Sequence, residues 1–370
     1  MKIDHIHFYV EDATSSRDWF IKFMGFQALG VGASHHTRTT VVKSGKVCIV
    51  LSSPLTTDSP VAEFLHLHPP GVADIAFAVS DLEGTMDRLV EQGAKVLQPV
   101  REQYLVGGCL KWGKIAAWGT LTHTLVERQG IHPGLWLPVQ ADWVGEANEV
   151  GYSPTEVSGA IALFTSIDHI VLNVAPGDLG RAVQWYQTVL GFQPQQVFAI
   201  ETEQSGLCSQ VMVHPVTGVQ LPINQPTSAN SQIQEFLDVN RGSGIQHIAL
   251  ATDNIVAAIA QLRHRGLSFL EVPANYYTQL RQRYPKSDLP IAQWQKIAAQ
   301  QILADWQEES PQALLLQTFT QPIFKQPTFF FEVIERRSQA QGFGEGNFRA
   351  LFEAIEREQL KRGSLGIQSG

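Results

Sequence analysis

The pattern of apolar and polar positions repeats along the chain. Residues 3–26, IDHIHFYVEDATSSRDWFIKFMGF, open with apolar residues at every second position and pass into a helical stretch ending at Gly25. Residues 167–192, IDHIVLNVAPGDLGRAVQWYQTVLGF, do the same and end at Gly191. Alternation predicts a strand, the following three-to-four spacing predicts a helix, and a glycine just after it predicts a left-handed C-cap. A second pair follows the same course: GVADIAFAVSDLEGTMDRLVEQGAKVL (71–97) parallels GIQHIALATDNIVAAIAQLRHRGLSFL (244–270). TLVERQ (124–129) then pairs with EVIERR (332–337).

The periodicity therefore predicts an α+β fold of two repeated halves, each of paired β-α-β-β-β modules curling into a pseudo-barrel around a cavity. The expected division is 1–131 for an N-terminal pseudo-barrel without metal, 132–165 for a linker rich in Pro and Gly, and 166–370 for a C-terminal catalytic pseudo-barrel. Residues 288–308 are predicted to form a helix inserted before the last strands. Residues 342–363 read as a Gly-rich loop leading into a helix N-capped by Asn347, with Phe348, Leu351, Phe352 and Ile355 on one apolar face.

Aligning the halves exposes candidate chemistry. His169 matches His5, His247 matches Asp74, and Glu332 matches Thr124. The second half thus offers His, His and Glu where the first offers His, Asp and Thr. Two imidazoles and one carboxylate form the facial triad that suits non-heme iron(II) and leaves coordination positions open. Strand alternation puts His169 with Ile167, Val171 and Asn173, His247 with Ile245, Ala249 and Ala251, and Glu332 with Phe330 and Ile334. A carboxylate on so apolar a face is costly unless it is paired or binds a metal. Taken singly, each histidine is more often a hydrogen-bonded core residue, and the glutamate could pair with an arginine. Their joint placement at repeat-equivalent strand positions favours the metal. His35, His36, His66 and His68 read as loop residues.

Composition narrows the function classes. The 370 residues are 44% hydrophobic and 17% charged, with a formal net charge of −8, enough apolar material for a sizeable core and no broad basic footprint for nucleic acid. Cys48, Cys109 and Cys208 are far apart, which gives no disulfide framework and fits a reducing compartment. Neither a signal peptide nor a membrane-length apolar run is visible. A cytoplasmic protein is expected.

Nine segments carry a family resemblance: SIDHIVLNV, SGLCSQVMV, LPINQP, SQIQEFL, GIQHIAL, FLEVPANYY, LLLQTFTQP, TFFFEVIER and GFGEGNFRALFEAIEREQ. Together they resemble the 4-hydroxyphenylpyruvate dioxygenase family of the vicinal oxygen chelate superfamily. The match runs over nearly the whole chain and is strongest from 166 to 363. The resemblance implies Fe(2+) on His169, His247 and Glu332, and an aromatic 2-oxo acid and O2 as partners. It also implies a homo-oligomer. Its substrate pocket falls on Ser209, Asn224, Gln232, Gln246, Gln317 and Phe319, with Phe330, Phe343, Asn347 and Phe348 completing the wall and lid. Ser209, Asn224, Gln246, Gln317 and Phe348 are the implied catalytic positions. The implied reaction yields homogentisate, which feeds tyrosine breakdown or quinone and tocopherol synthesis, and CO2. Pro222 and Asn224 fit the dioxygenase better than the sister hydroxymandelate synthase. The competing readings are that synthase, a non-catalytic ligand-binding protein of the same fold, and a zinc or nickel lyase of the glyoxalase type.

Overall fold

A computed structural model describes residues 1–105, 107–130, 137–142, 162–201, 205–273, 275–284, 289–307 and 310–362. The first half runs β1 (Lys2–Tyr9), α1 (Ala13–Met24), β2 (Gln27–Ala33), β3 (Thr37–Ser44), β4 (Val47–Pro54), α2 (Pro60–Leu67), β5 (Gly71–Ala78), α3 (Leu82–Glu91), β6 (Val96–Leu105), β7 (Gly108–Ala116) and β8 (Thr122–Gly130). The second runs β9 (Ser166–Asn173), α4 (Leu179–Leu190), β10 (Gln193–Glu201), β11 (Gly206–Val213), β12 (Gln220–Pro226), α5 (Gln232–Asn240), β13 (Gly244–Ala251) and α6 (Ile255–His264). It continues through α7 (Tyr276–Arg283), α8 (Ile291–Ala299), β14 (Leu303–Gln307), β15 (Ser310–Phe319), β16 (Phe330–Arg337) and α9 (Glu345–Arg362).

Each half makes one eight-stranded sheet, and the two strand orders are the same: β2-β3-β4-β1-β5-β8-β7-β6 and β10-β11-β12-β9-β13-β16-β15-β14. The predicted duplication of the vicinal oxygen chelate fold is thus present. The register confirms the alignment of the halves. Asp74 sits opposite Thr122 as His247 sits opposite Phe330, which makes Thr124 the counterpart of Glu332.

Strand alternation sets the two faces of each sheet. Ile6, Phe8 and Val10 on β1, and Ile170, Leu172 and Val174 on β9 and just beyond, enter one continuous core with the helices. The halves interlock there: the Phe8 ring lies 5.0 Å from Phe329 edge-on, and Phe20 lies 5.9 Å from Phe331. Burying each such ring stabilises the fold by roughly 1.5–3 kcal/mol. The opposite faces keep His5 and His7, and His169 and Val171, for the cavities. Helices α1 and α4 end on Gly25 and Gly191 at φ 70° and 72°, the left-handed caps read from the sequence.

Several local expectations need correction. The helix predicted over 288–308 ends at Ala299, and β14 follows; residues 288 and 308 themselves lie outside the described residues. Gln301 turns the chain at φ 53°, and Leu303 to Trp306 then pair with β15 at the sheet edge, burying Leu303, Ala304 and Trp306. The apolar run through Ile302 and Leu303 mimicked continued helical spacing. His66 belongs to α2, and buried His68 bonds through Nδ1 to the Asn240 carbonyl at 2.7 Å, so the second is no loose loop residue. Of the linker region, 132–136 and 143–161 lie outside the described residues; Pro138–Asp142 form a short 3-10 turn. Among the described residues, no helix is long and apolar enough to cross a membrane.

Candidate metal centre

The three aligned residues meet on the inner face of the second sheet. His169 comes from β9, His247 from β13 and Glu332 from β16, three neighbouring strands. One ligand atom of each lies within 4.8 Å of the others. The Nε2 atoms of His169 and His247 stand 3.2 and 3.7 Å from Glu332 Oε2, and all three residues are buried. Glu332 Oε1 has no hydrogen-bond partner among the described residues. A carboxyl oxygen buried without a partner is costly; a divalent cation beside this group would remove that cost. Two imidazole nitrogens and one carboxylate are also a donor set for such an ion, so the residues present fit a metal.

Two bulges aim these groups. Ile245 pairs with Leu172 and His247 with Val171, so Gln246 is the extra residue on β13. Without that insertion adjacent residues would face opposite ways; with it, both Gln246 and His247 line the cavity. On β9 the extra residue is Asp168, between the pairs Ala249–His169 and Leu250–Ile167. It is left free to turn back on its neighbour. Asp168 Oδ1 lies 2.9 Å from His169 Nδ1, which directs Nε2 at the ligand cluster.

Arg336 fixes Asp168 in turn, donating from Nε to Oδ2 at 2.7 Å and from Nη2 to Oδ1 at 2.8 Å. Burial alone would raise the Asp168 carboxyl, but the Arg336 and His169 hydrogen bonds hold it well below the usual carboxylate range. Burial opposes a charge on His169, yet Glu332 and Asp168 outweigh it and lift the metal-free imidazole to about 9. Burial and the neighbouring His169 push His247 well down. Neither Asp168 nor Arg336 was singled out from the sequence. The signal was present in the repeat, since Ile-Asp-His and Glu-Arg recur in both halves.

The cavity in front of the cluster is lined by the side chains of Ser209, Asn224, Gln232, Gln246, Gln317, Phe319, Phe330 and Phe343, all buried. Phe330 stacks on His247 with centroids 4.8 Å apart, and the Phe343 ring meets His169 edge-on at 5.0 Å. The oxygens Gln232 Oε1 and Gln317 Oε1 have no partner among the described residues. A Cβ on Gly344, which sits at φ 73°, would fall 2.1 Å from Gln317 Oε1, so that amide stands where only glycine leaves it room. Phe198, Phe352 and Ile355 also line the cavity and were missed as pocket residues. Phe198 could have been found by pairing β10 with β11, where it faces Ser209.

Asn347 is placed differently from its expected part. It is the third residue of α9 and not its N-cap, and it is not among the residues lining the cavity. Its Oδ1 accepts from the Tyr276 hydroxyl at 2.6 Å. The start of α9 is capped instead by Asp305 of β14, whose Oδ2 accepts from Gly346 N at 3.0 Å, a partner 41 residues away that no local motif announces. The side chains of Phe348 and Leu351 lie outside the described residues.

Comparison with known proteins agrees with this geometry. Residues 4–107 and 166–287 match two family models, each described as the glyoxalase, bleomycin resistance protein and dioxygenase superfamily. The chain is 36% identical to the 4-hydroxyphenylpyruvate dioxygenase of Yarrowia lipolytica over 98% of its own length and 93% of the relative's. Against that of Dictyostelium discoideum it is 38% identical over 98% and 99%. Among solved structures it is similar to a triple mutant of 4-hydroxymandelate synthase from Streptomyces coelicolor, with a TM-score of 0.81, 26% identity and coverage of 97% and 98%. On its sequence, its duplicated fold and its ligand cluster, the chain belongs to the 4-hydroxyphenylpyruvate dioxygenase family of enzymes.

Proposed function

We propose that the chain is an iron(II) enzyme converting 4-hydroxyphenylpyruvate and O2 to homogentisate and CO2. The observation that carries the reading is the placement of His169, His247 and Glu332 at the floor of an aromatic cavity with four neutral amides around it. When bound, iron would supply the redox chemistry that makes dioxygen react with an organic substrate, and a template for the oxo acid. The chain's part is to bind, orient and keep dry. Phe319, Phe330 and Phe343 offer flat walls to a phenyl ring. Ser209, Asn224, Gln232, Gln246 and Gln317 can donate or accept, as a phenol and a keto acid require, without burying a second charge. Helix α9 contributes Phe352 and Ile355 to the roof, and the same helix carries Asn347 and Phe348 near its start, which fits the lid role the family resemblance implies for it.

The relatives' names support the substrate, with identities of 36% and 38% against 26% for the hydroxymandelate synthase. Three free cysteines and a formal net charge of −8 support a cytoplasmic setting without nucleic acid. The deciding experiment loads the purified chain with iron(II) without air, adds 4-hydroxyphenylpyruvate and oxygen, and identifies the product. Homogentisate formed one for one with oxygen consumed supports the reading. 4-Hydroxymandelate would move the chain to the sister reaction, and no oxygen uptake would point to a binding protein. Turnover with zinc or nickel alone would point to a lyase.

A further inference from the structure

Helices α2 and α5 stand at equivalent places in the two halves, between β4 and β5 and between β12 and β13. Each is N-capped by a serine, Ser59 or Ser231, whose hydroxyl accepts from the amide two residues on. Their C-caps are His68 and Arg241, and these reach across the junction to each other's helix end. His68 Nδ1 lies 2.7 Å from the Asn240 carbonyl, and Arg241 Nη1 donates to the His66 carbonyl at 2.9 Å. The last carbonyls of a helix have no partner within it, so each half finishes the other's helix.

The two arms of this clasp differ in burial. The arginine arm is exposed, whereas His68 is 5% exposed and its bond to Asn240 is buried. A carbonyl can only accept, so Nδ1 carries the proton, and Nε2 meets the Thr120 hydroxyl at 2.9 Å, which fixes the ring from its other side. The turn that His68 grips is tight. Arg241 adopts φ 60°, a left-handed conformation uncommon for any residue but glycine, and Gly242 follows at φ 135°. Asn240 Nδ2 folds back on the carbonyls of Gly242 and Ser243, and a Cβ on Gly244 would fall 2.7 Å from it.

Only residues 241–243 separate α5 from β13, and both elements carry pocket residues. Helix α5 begins with Gln232 and Ile233, and β13 brings Gln246 and His247 just beyond the turn. Strand β13 is held by ladders on both sides, to β9 and β16. Helix α5 packs Phe236 and Leu237 against Leu207 and Phe352, and such apolar contact is non-directional. Its tilt is therefore left to the clasp. The helix spans about 13 Å, so a small swing at the Asn240 end is magnified at Gln232.

We infer that His68, in the half without metal ligands, is a positioning residue for the substrate pocket: through the Asn240 carbonyl it sets α5, and with it Gln232, against Gln246. The inference rests on reading this cavity as the substrate site. The test pairs steady-state kinetics on 4-hydroxyphenylpyruvate, with iron(II) supplied, with amide hydrogen exchange of the full-length chain. His68→Leu should keep its iron, raise KM about tenfold and hold kcat within about threefold of the wild type. Exchange across 232–240 should quicken about tenfold. His68→Asn, whose amide can donate from the place of Nδ1, should recover most of both. Arg265→Met cuts a different link between the halves, from Nη1 to the Ile21 and Lys22 carbonyls, and should move neither reading. Should His68→Leu fail to fold, Thr120→Val decides: it frees only the far side of the ring and should still raise KM about two- to threefold, and an unchanged KM there overturns the inference. Unchanged KM and exchange in His68→Leu, no recovery in His68→Asn, or an equal effect of Arg265→Met would each overturn it too. A wild-type chain that turns over none of this substrate would end the reaction assigned to the site, and exchange across 232–240 would then decide the inference by itself.

Discussion

Arg336 binds Asp168 with two parallel hydrogen bonds and, through Nη1, also donates to the carbonyls of Ala340 and Gly342 at 3.1 and 2.8 Å. One guanidinium therefore joins the carboxylate behind His169 to the loop that leads into α9. Replacing it with Met should lower metal affinity about 10- to 100-fold and loosen the lid together. Metal content after dialysis, and the ratio of oxygen consumed to product formed, would both change. Arg128→Met removes the equivalent pair from the N-terminal half, on Asp4, and should leave both readings untouched.

Glu332→Ala takes away the carboxylate on which both imidazoles converge. Retained metal is expected to fall to background along with turnover, while secondary structure persists because the strand pairing of β16 does not use that side chain. Metal analysis beside far-ultraviolet circular dichroism checks this. A variant that keeps full metal would remove Glu332 from the ligand set.

Tyr276 ties α9 to the body. Its hydroxyl donates to Asn347 Oδ1 at 2.6 Å and accepts from Ala304 N at 2.8 Å. Tyr276→Phe strands both partners in a buried place, at a cost of about 1–3 kcal/mol. Limited proteolysis should cut residues 345–362 sooner, and product formed per oxygen should drop. Unchanged cleavage would mean that Asp305 and Arg283, which both bind Gly346, suffice to anchor the helix start.

Acid should destabilise the junction of the two halves through His123. Its Nε2 stands 3.2 Å from the Tyr186 hydroxyl, and burial pushes the imidazole down to about 4. The folded chain binds this proton less readily than the unfolded chain, whose histidine titrates near ~6.5. The contribution is therefore full above that value and is lost as pH falls toward about 4, for a total of about 3 kcal/mol. Urea midpoints measured across this window should decline less steeply for His123→Gln than for the wild type.

How far the sequence carried the reading depends on whether a residue's partner was local or repeated. The three candidate ligands were legible because they fall at matching strand positions of the two halves, where His169 repeats His5 while His247 and Glu332 replace Asp74 and Thr124. The helix caps at Gly25 and Gly191 were legible because a C-cap is a local device. The convergence of Gln246 and His247 was legible only through the family resemblance, since simple alternation sends neighbours to opposite faces and the bulge at Gln246 appears only in the pairing with β9. Asn347 suited an N-cap by type, yet the cap came from Asp305 on a strand that had been read as helix. The clasp on α5 stayed hidden for a similar reason: His68 lies 172 residues from Asn240 and gains its meaning only from that contact.

The paired bulges also have a practical use. Asp4 is the extra residue on β1, as Asp168 is on β9, and each turns its neighbouring imidazole inward. The amino-terminal half is thus a ready-made blank for transplanting a metal-binding centre: Asp74→His with Thr124→Glu would restore the missing donors, and Lys114→Phe would withdraw the ammonium that stands 3.8 Å from Asp74 Oδ2. Such a chain would carry two ions per molecule, and comparing its halves would separate what the coordinating atoms do from what the surrounding walls do.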